Sequence, residues 1–248
     1  MSHSVTIKVW RQDSQDSAGR FESFELEVEP ELSLFDTLDV LNESLVKADK
    51  RPLAFDSDCR EGICGTCGLV VDGLAHGPIP TTTCQLHMHH FAGKDEIVIE
   101  PFRSRAMPVV QDCLVDKSAL DRIIRAGGYV SVKTGQQPEA NSILIPRKKA
   151  DEAFVYASCI GCGACVATCR NAAAHLFTGA KVAQLLALPQ GHPERSRRAR
   201  AMVDVMDEEG FGTCSNEGEC EAVCPKSVPT GAIAALNREY IRSLFMKS

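Results

Sequence analysis

Twelve cysteines stand among the 248 residues, and eleven of them fall into spaced groups. The first group is Cys59-x4-Cys64-x2-Cys67, followed by Cys84. Residues this close make poor disulfide partners and good shared ligands. The N-terminus, MSHSVTIKVW, carries neither an apolar export region nor a twin-arginine pair, so a reducing compartment and metal ligation are expected. The spacing is that of four thiolates around a [2Fe–2S] cluster. Gly62, Gly65 and Gly68 let the backbone curl and turn its N–H groups toward the anionic sulfurs. A zinc ribbon is the competing reading, but it pairs two Cys-x2-Cys knuckles, and the x4 interval between glycines departs from that.

The second group, Cys159-x2-Cys162-x2-Cys165-x3-Cys169, has the spacing of a bacterial ferredoxin run. There the fourth cysteine serves the other cluster. A second run is therefore required. Cys214-x2-Glu217-x2-Cys220-x3-Cys224-Pro225 supplies it, with Glu217 in place of the middle cysteine. Crossing the fourth ligands assigns Cys159, Cys162, Cys165 and Cys224 to a [4Fe–4S] site. Cys169, Cys214 and Cys220 are left as a three-thiolate site. Loss of one corner ligand gives [3Fe–4S]. The alternative is a [4Fe–4S] cluster with Glu217 as oxygen ligand, although soft thiolate suits such clusters better. Cys113 is left over and reads as a small buried hydrophobe.

Cys165 and Cys169 lie about one helical turn apart, ~6 Å along an axis, so their clusters must be neighbours. The first group lies in the other half of the chain, and the three sites form a linear wire. The formal charge of −6 would become about −12 with three oxidised clusters at about −2 each. Gly161, Gly163, Gly212 and Gly218 near the ligands supply amide donors for that charge.

The elements that must position these groups change period along the chain. Val5, Ile7 and Val9, and then Phe24, Leu26 and Val28, alternate with polar residues as strands do. The stretch between them suits a long hairpin turn. Leu34, Leu38, Leu41 and Leu45 share a helical face, with Ser33 as N-cap and Asp36 completing an approximate capping box. Strands follow at Leu69–Val71, ending at the Asp72-Gly73 turn, and at Glu96–Glu100. The expectation for residues 1–105 is a small mixed sheet with one crossing helix. Residues 106–248 read as helical, over Ser118–Ala126, Lys149–Ser158, Asn171–Leu188, Arg195–Glu209 and Thr230–Met246. Gly127–Pro146 reads as a loop, and the join lies near residues 102–117.

The composition excludes several classes. Apolar residues make up 44% and charged residues 24%, which is too apolar for disorder. No apolar run approaches the roughly 18 residues of a membrane span. The 33 acids against 27 bases argue against nucleic-acid binding. There is no Rossmann fingerprint, no P-loop and no substrate acid–base pair, so no catalytic residue is assigned.

A [2Fe–2S] unit followed by a helical [4Fe–4S]/[3Fe–4S] unit resembles the iron–sulfur subunits of succinate dehydrogenase and fumarate reductase, respiratory complex II. Cys59-Arg-Glu-Gly-Ile-Cys-Gly-Thr-Cys67 looks like that family's N-terminal signature. Glu100-Pro-Phe-Arg103, Pro108-Val-Val-Gln-Asp112 and Val115-Asp116 resemble its interdomain stretch. The resemblance implies an α+β chain, with an N-terminal β-grasp domain and a C-terminal α-helical ferredoxin-like domain. It implies electrons passing from covalently held FAD on a flavoprotein partner, through the three clusters, to quinone in membrane-anchor subunits. This chain would be peripheral, at the cytoplasmic face of the cell membrane. Arg170 stands where the family usually has proline, and Cys67 and Cys84 lie further apart than in mitochondrial members. Asn171-Ala-Ala-Ala-His175 lacks the tryptophan of many quinone sites, and Ser215 stands where those members place a histidine. The last two differences favour the bacterial branch, with one larger anchor subunit carrying haem b and menaquinone as acceptor.

Other features have plainer readings. His87, His89 and His90 are expected at the surface or at a partner contact, since all four cysteines of the first group are present. Arg195, Arg197, Arg198 and Arg200 read as a solvated helix face, with contact to a partner or lipid headgroups as the alternative. His175 reads as an ordinary helix residue, with quinone or haem propionate as the alternative. A relay for another flavoprotein dehydrogenase would share only the second half. An iron–sulfur transcription regulator lacks support from the acidic charge.

Overall fold

The computed structural model describes residues 3–131 and 144–246. The period-two stretches form β1 (His3–Arg11) and β2 (Arg20–Val28), paired antiparallel from His3 opposite Val28 to Arg11 opposite Arg20. Both strands run further into the connection than the apolar alternation predicts, leaving residues 12–19 as the turn. Helix α1 (Leu34–Lys47) starts at the expected cap. Ser33 Oγ accepts the Asp36 N–H at 3.1 Å, and the Asp36 carboxylate accepts the Ser33 N–H at 2.9 Å.

The chain then returns through β3 (Leu69–Val71), β4 (Leu74–Ala75) and β5 (Glu96–Pro101). β5 runs parallel to β1, and the sheet order is β2-β1-β5-β3-β4, the mixed sheet of a β-grasp. Val5, Ile7, Val9, Ile97 and Ile99 bury one face of the sheet against Leu34, Leu38, Leu41 and Leu45 of α1. Each such side chain contributes about 1.5–3 kcal/mol, so this core holds the first cysteine loop rigidly at its edge.

A hairpin, β6 (Val109–Gln111) and β7 (Leu114–Val115), occupies the join. Its turn is built into the first core. Cys113 is buried there, as expected of the unassigned cysteine. Asp112, in the left-handed region at φ +47°, is fully buried. Its carboxylate accepts the Gln12 N–H at 2.9 Å, the Ala54 N–H at 3.0 Å, and Arg51 Nη1 and Nη2 at 2.7 and 2.9 Å. The buried Arg11 guanidinium lies 3.3 Å away. Asp112→Ala would take the buried acceptor from the Gln12 and Ala54 N–H groups and from Arg51, and leave Arg11 with Glu22 at 3.2 Å as its carboxylate partner. Breaking a buried pair from one side costs roughly 3–5 kcal/mol. We expect thermal unfolding to reveal a loss of that size. A loss below about 1 kcal/mol, the scale of an exposed pair, would contradict it.

The second half is helical: α2 (Ser118–Gly127), α3 (Arg147–Ala157), α4 (Ala164–Thr168), α5 (His175–Ala187), α6 (Arg195–Glu208), α7 (Glu219–Ala222) and α8 (Gly231–Phe245). α5 packs on α3 and α8, and α6 packs on α2 and α8. A Cβ at Gly179 would come within 2.7 Å of the Ala232 carbonyl oxygen, so a glycine there lets α5 and α8 touch backbone to backbone. Helix α5 begins at His175 rather than Asn171, because Ala172 turns left-handed at φ +50° and interrupts the helix. Of the expected loop Gly127–Pro146, Gly127 closes α2, residues 128–131 and 144–146 carry no regular element, and 132–143 lie outside the described residues.

The arginine run differs from both readings. Arg198 is buried and donates to the carbonyls of Gly127, Tyr129 and Gly191, each at 2.8 Å. Arg195 grips the buried Glu239 of α8 bidentately at 2.8 and 2.6 Å, and Arg200 donates to the Ser243 carbonyl at 2.8 Å. The run ties α6 to its neighbours, and Arg197 remains the exposed member, paired with Glu194.

Candidate metal centres

The loop between α1 and β3 carries Cys59, Cys64 and Cys67, and a short 3-10 turn, Thr83–Gln85, carries Cys84. Cys59 Sγ accepts three backbone N–H groups, from Glu61, Ile63 and Cys64, at 3.3, 3.4 and 3.3 Å. These donors lower its pKa to about 7. The hydroxyls of Thr66 and Thr82 lie 3.0 and 3.4 Å from Cys64 Sγ and Cys84 Sγ. Cys67 is buried beside Cys84, and burial pushes its thiol up to about 12. Arg60, left-handed at φ +55°, ties the loop to Asp39 of α1, while Gln85 Nε2 donates to the Arg60 carbonyl at 2.6 Å. The loop is thus buried on its Cys67–Cys84 side and open on its Cys59–Ile63 side. Among the described residues no three His, Cys, Asp or Glu side chains converge as ligands of a single ion. Cys59, Cys64, Cys67 and Cys84, with three backbone N–H donors on one sulfur, have the chemistry of a thiolate-held metal group.

The two later runs repeat one backbone design. In the first, Gly161 and Gly163 are left-handed at φ +67° and +86°, followed by α4. In the second, Asn216 and Gly218 are left-handed at φ +61° and +93°, followed by α7. Ala172 and Ser227, each three residues past the last cysteine of its run, match at φ +50°. Glu217 therefore stands where Cys162 stands in the other copy. It is exposed, and its carboxylate accepts the Ser215 hydroxyl at 3.0 Å.

The repeats face each other through α4 and α7. Cys159, Cys162, Cys165 and Cys224 line one recess of about 370 Å³ with Leu176 and Phe177. Cys169, Cys214 and Cys220 line another of about 300 Å³, with Glu217 on its rim. Cys224 thus lies with the cysteines of the first run, and Cys169 with those of the second. Burial pushes Cys162 up to about 12 and holds Cys165 well above the ordinary thiol range, so occupation of the first recess must release protons. Asn171 Nδ2 bridges the runs, donating to the Thr213 carbonyl at 3.0 Å and to Ser215 Oγ at 2.9 Å.

The first and second sets are pressed together. A Cβ at Gly65, which has φ +76°, would lie 2.3 Å from the Ile160 carbonyl oxygen and 3.0 Å from the Cys162 nitrogen. Gly65→Ala should therefore destabilise the holo-protein by roughly 2–4 kcal/mol, combining left-handed strain with overlap. Gly73→Ala, at φ +80° with nothing within 4 Å, carries the strain alone. Equal losses of stability in the two variants would contradict this contact. Lys117, which no motif marked, reaches into the same junction, where Nζ donates to the Thr66 and Gly65 carbonyls at 2.8 and 3.2 Å.

His89 and His90 are exposed and His87 is half-buried, their rings stacked or tilted against one another. His175 is half-buried with an unpartnered Nδ1, and it lines a cleft with Asp207, Thr213 and Tyr240. No helix among the described residues is long and apolar enough to cross a membrane.

Known protein families match the chain in two places. A family model for a 2Fe-2S iron-sulfur cluster binding domain matches residues 6–122, and one for a 4Fe-4S dicluster domain matches residues 156–228. Fold and sites define an iron–sulfur electron-transfer protein built from two ferredoxin-like units. The succinate dehydrogenase iron–sulfur subunit of Bacillus subtilis (strain 168) is 31% identical over 96% of this chain and 94% of its own. The fumarate reductase iron–sulfur subunit of Wolinella succinogenes is 26% identical over 97% and 99%. This chain belongs to the family of succinate dehydrogenase and fumarate reductase iron–sulfur subunits, and is a subunit of an oxidoreductase. A chain of the Mycobacterium smegmatis Sdh1 complex in the apo form shares the fold, with a TM-score of 0.67 over 98% of both chains at 18% identity.

Proposed function

We propose that this chain carries single electrons from FAD on a flavoprotein partner to (mena)quinone in membrane-anchor subunits. It would do so as the iron–sulfur subunit of a succinate:quinone oxidoreductase or fumarate reductase. Cys59, Cys64, Cys67 and Cys84 would hold [2Fe–2S]; Cys159, Cys162, Cys165 and Cys224 would hold [4Fe–4S]; Cys169, Cys214 and Cys220 would hold [3Fe–4S]. These groups supply reversible one-electron chemistry. The observation that carries the reading is the exchange of partners between the runs, with Cys224 in the recess of the first and Cys169 in that of the second. Glu217 lines the third recess but is exposed and engaged by the Ser215 hydroxyl, and soft thiolate suits such clusters better than carboxylate, which favours three thiolates over a fourth, oxygen ligand.

The chain's own residues insulate and align. Leu176 and Phe177 wall the middle recess from water, and Gly65 brings the first loop onto Cys162. We take residues 1–105 and 106–248 as the two units, with the Asp112 hairpin as the clasp between them. The chain would sit at the cytoplasmic face of the membrane, with haem b in the anchor. Purification from membranes by a tag on this chain tests the reading. A flavin-bearing subunit and a hydrophobic, haem-bearing subunit should co-purify. Recovery from the soluble fraction with neither would overturn it.

A further inference from the structure

Lys117 precedes α2 in the helical half, yet its ammonium is donated into the first cysteine loop, to the carbonyls between Cys64 and Cys67. It lies 5.9 Å from the ring centroid of the fully buried Phe102, whose edge also packs on Gly68. The acidic groups that face it are Cys64 and Cys67 from one half, Cys162 from the other, and Asp56. Lys181 lines the same cleft.

We propose that Lys117 is a fixed positive charge shared by the first and second clusters, raising the reduction potential of both. Each cluster gains one negative charge when it accepts an electron. A nearby ammonium attracts the reduced form more strongly, so removing it favours the oxidised form. Burial lowers the pKa of the ammonium, and the surrounding sulfurs and Asp56 oppose that. This inference rests on the reading of the two cysteine sets as clusters. Lys117 is a positioning and tuning residue and touches no substrate.

The test is a redox titration followed by electron paramagnetic resonance, on the complex purified from membranes, with iron counted in every sample. In Lys117→Met, which keeps the length and packing of the side chain, the reduced-to-oxidised ratio at fixed potential should fall roughly tenfold at both clusters. That corresponds to about 59 mV for one electron. The third cluster should be unmoved, and Lys117→Arg should stay near the wild type. Unmoved potentials in an iron-replete Lys117→Met would overturn the proposal. So would Lys117→Arg shifting as far as Lys117→Met, because geometry and not charge would then be responsible. If Lys117→Met loses iron, Lys117→Gln decides, since its amide can still donate to the Gly65 and Thr66 carbonyls but carries no charge. Unmoved potentials there would overturn the proposal. A wild type lacking iron in the first two sets would instead sink the cluster reading.

Discussion

Cys67→Ala should abolish electron delivery to quinone while leaving reduction of an artificial acceptor at the flavoprotein partly intact. Cys67 is buried against Cys84, on the closed side of the first loop. Alanine fills most of its volume, so the sheet beneath should survive. The thiolate has no substitute, because Thr66 and Thr82 already face Cys64 and Cys84. Losing groups that merely orient metal ligands costs roughly 10–100-fold, and loss of a ligand itself should cost more. In the proposed relay the first site has no bypass. Quinone reduction at the wild-type rate, with the [2Fe–2S] signal absent, would contradict the wire.

Glu217→Cys should convert the third site from [3Fe–4S] to [4Fe–4S]. The repeated backbone puts residue 217 where Cys162 stands in the other run, with left-handed residues matching on both sides. A thiol there needs no new loop geometry. The variant should gain about one iron per chain and lose the oxidised [3Fe–4S] signal. The added thiolate and changed iron count should lower the potential, so quinone reduction should slow. An iron count unchanged from the wild type would show that position 217 does not complete the corner.

The cysteine groups were legible because spacing within each run is local, and the structure places each of the two later runs on a single loop and the short helix that follows it. Ser33 and the leucine face of α1 were legible for the same reason. α4 and α7 were not, since five and four residues are too short to display a helical period. The arginine run misled because its spacing on α6 says nothing of what lies opposite, and Glu239 and the Gly127 and Tyr129 carbonyls are supplied by distant segments. The role of Asp112 was not legible, because its partner Arg51 lies 61 residues away along the chain and Arg11 lies further still. The contact of Gly65 with Cys162 crosses the two halves, so no local pattern in either encodes it.

The central claim is that three cysteine sets, two of which exchange a ligand, hold three different clusters. Electron paramagnetic resonance of the complex as isolated and after chemical reduction, combined with an iron count, tests it directly. The account predicts about nine irons per copy of this chain, a [3Fe–4S] signal present without any harsh oxidant, and a [2Fe–2S] signal appearing on reduction. About ten irons with no [3Fe–4S] signal would contradict it and make Glu217 a ligand.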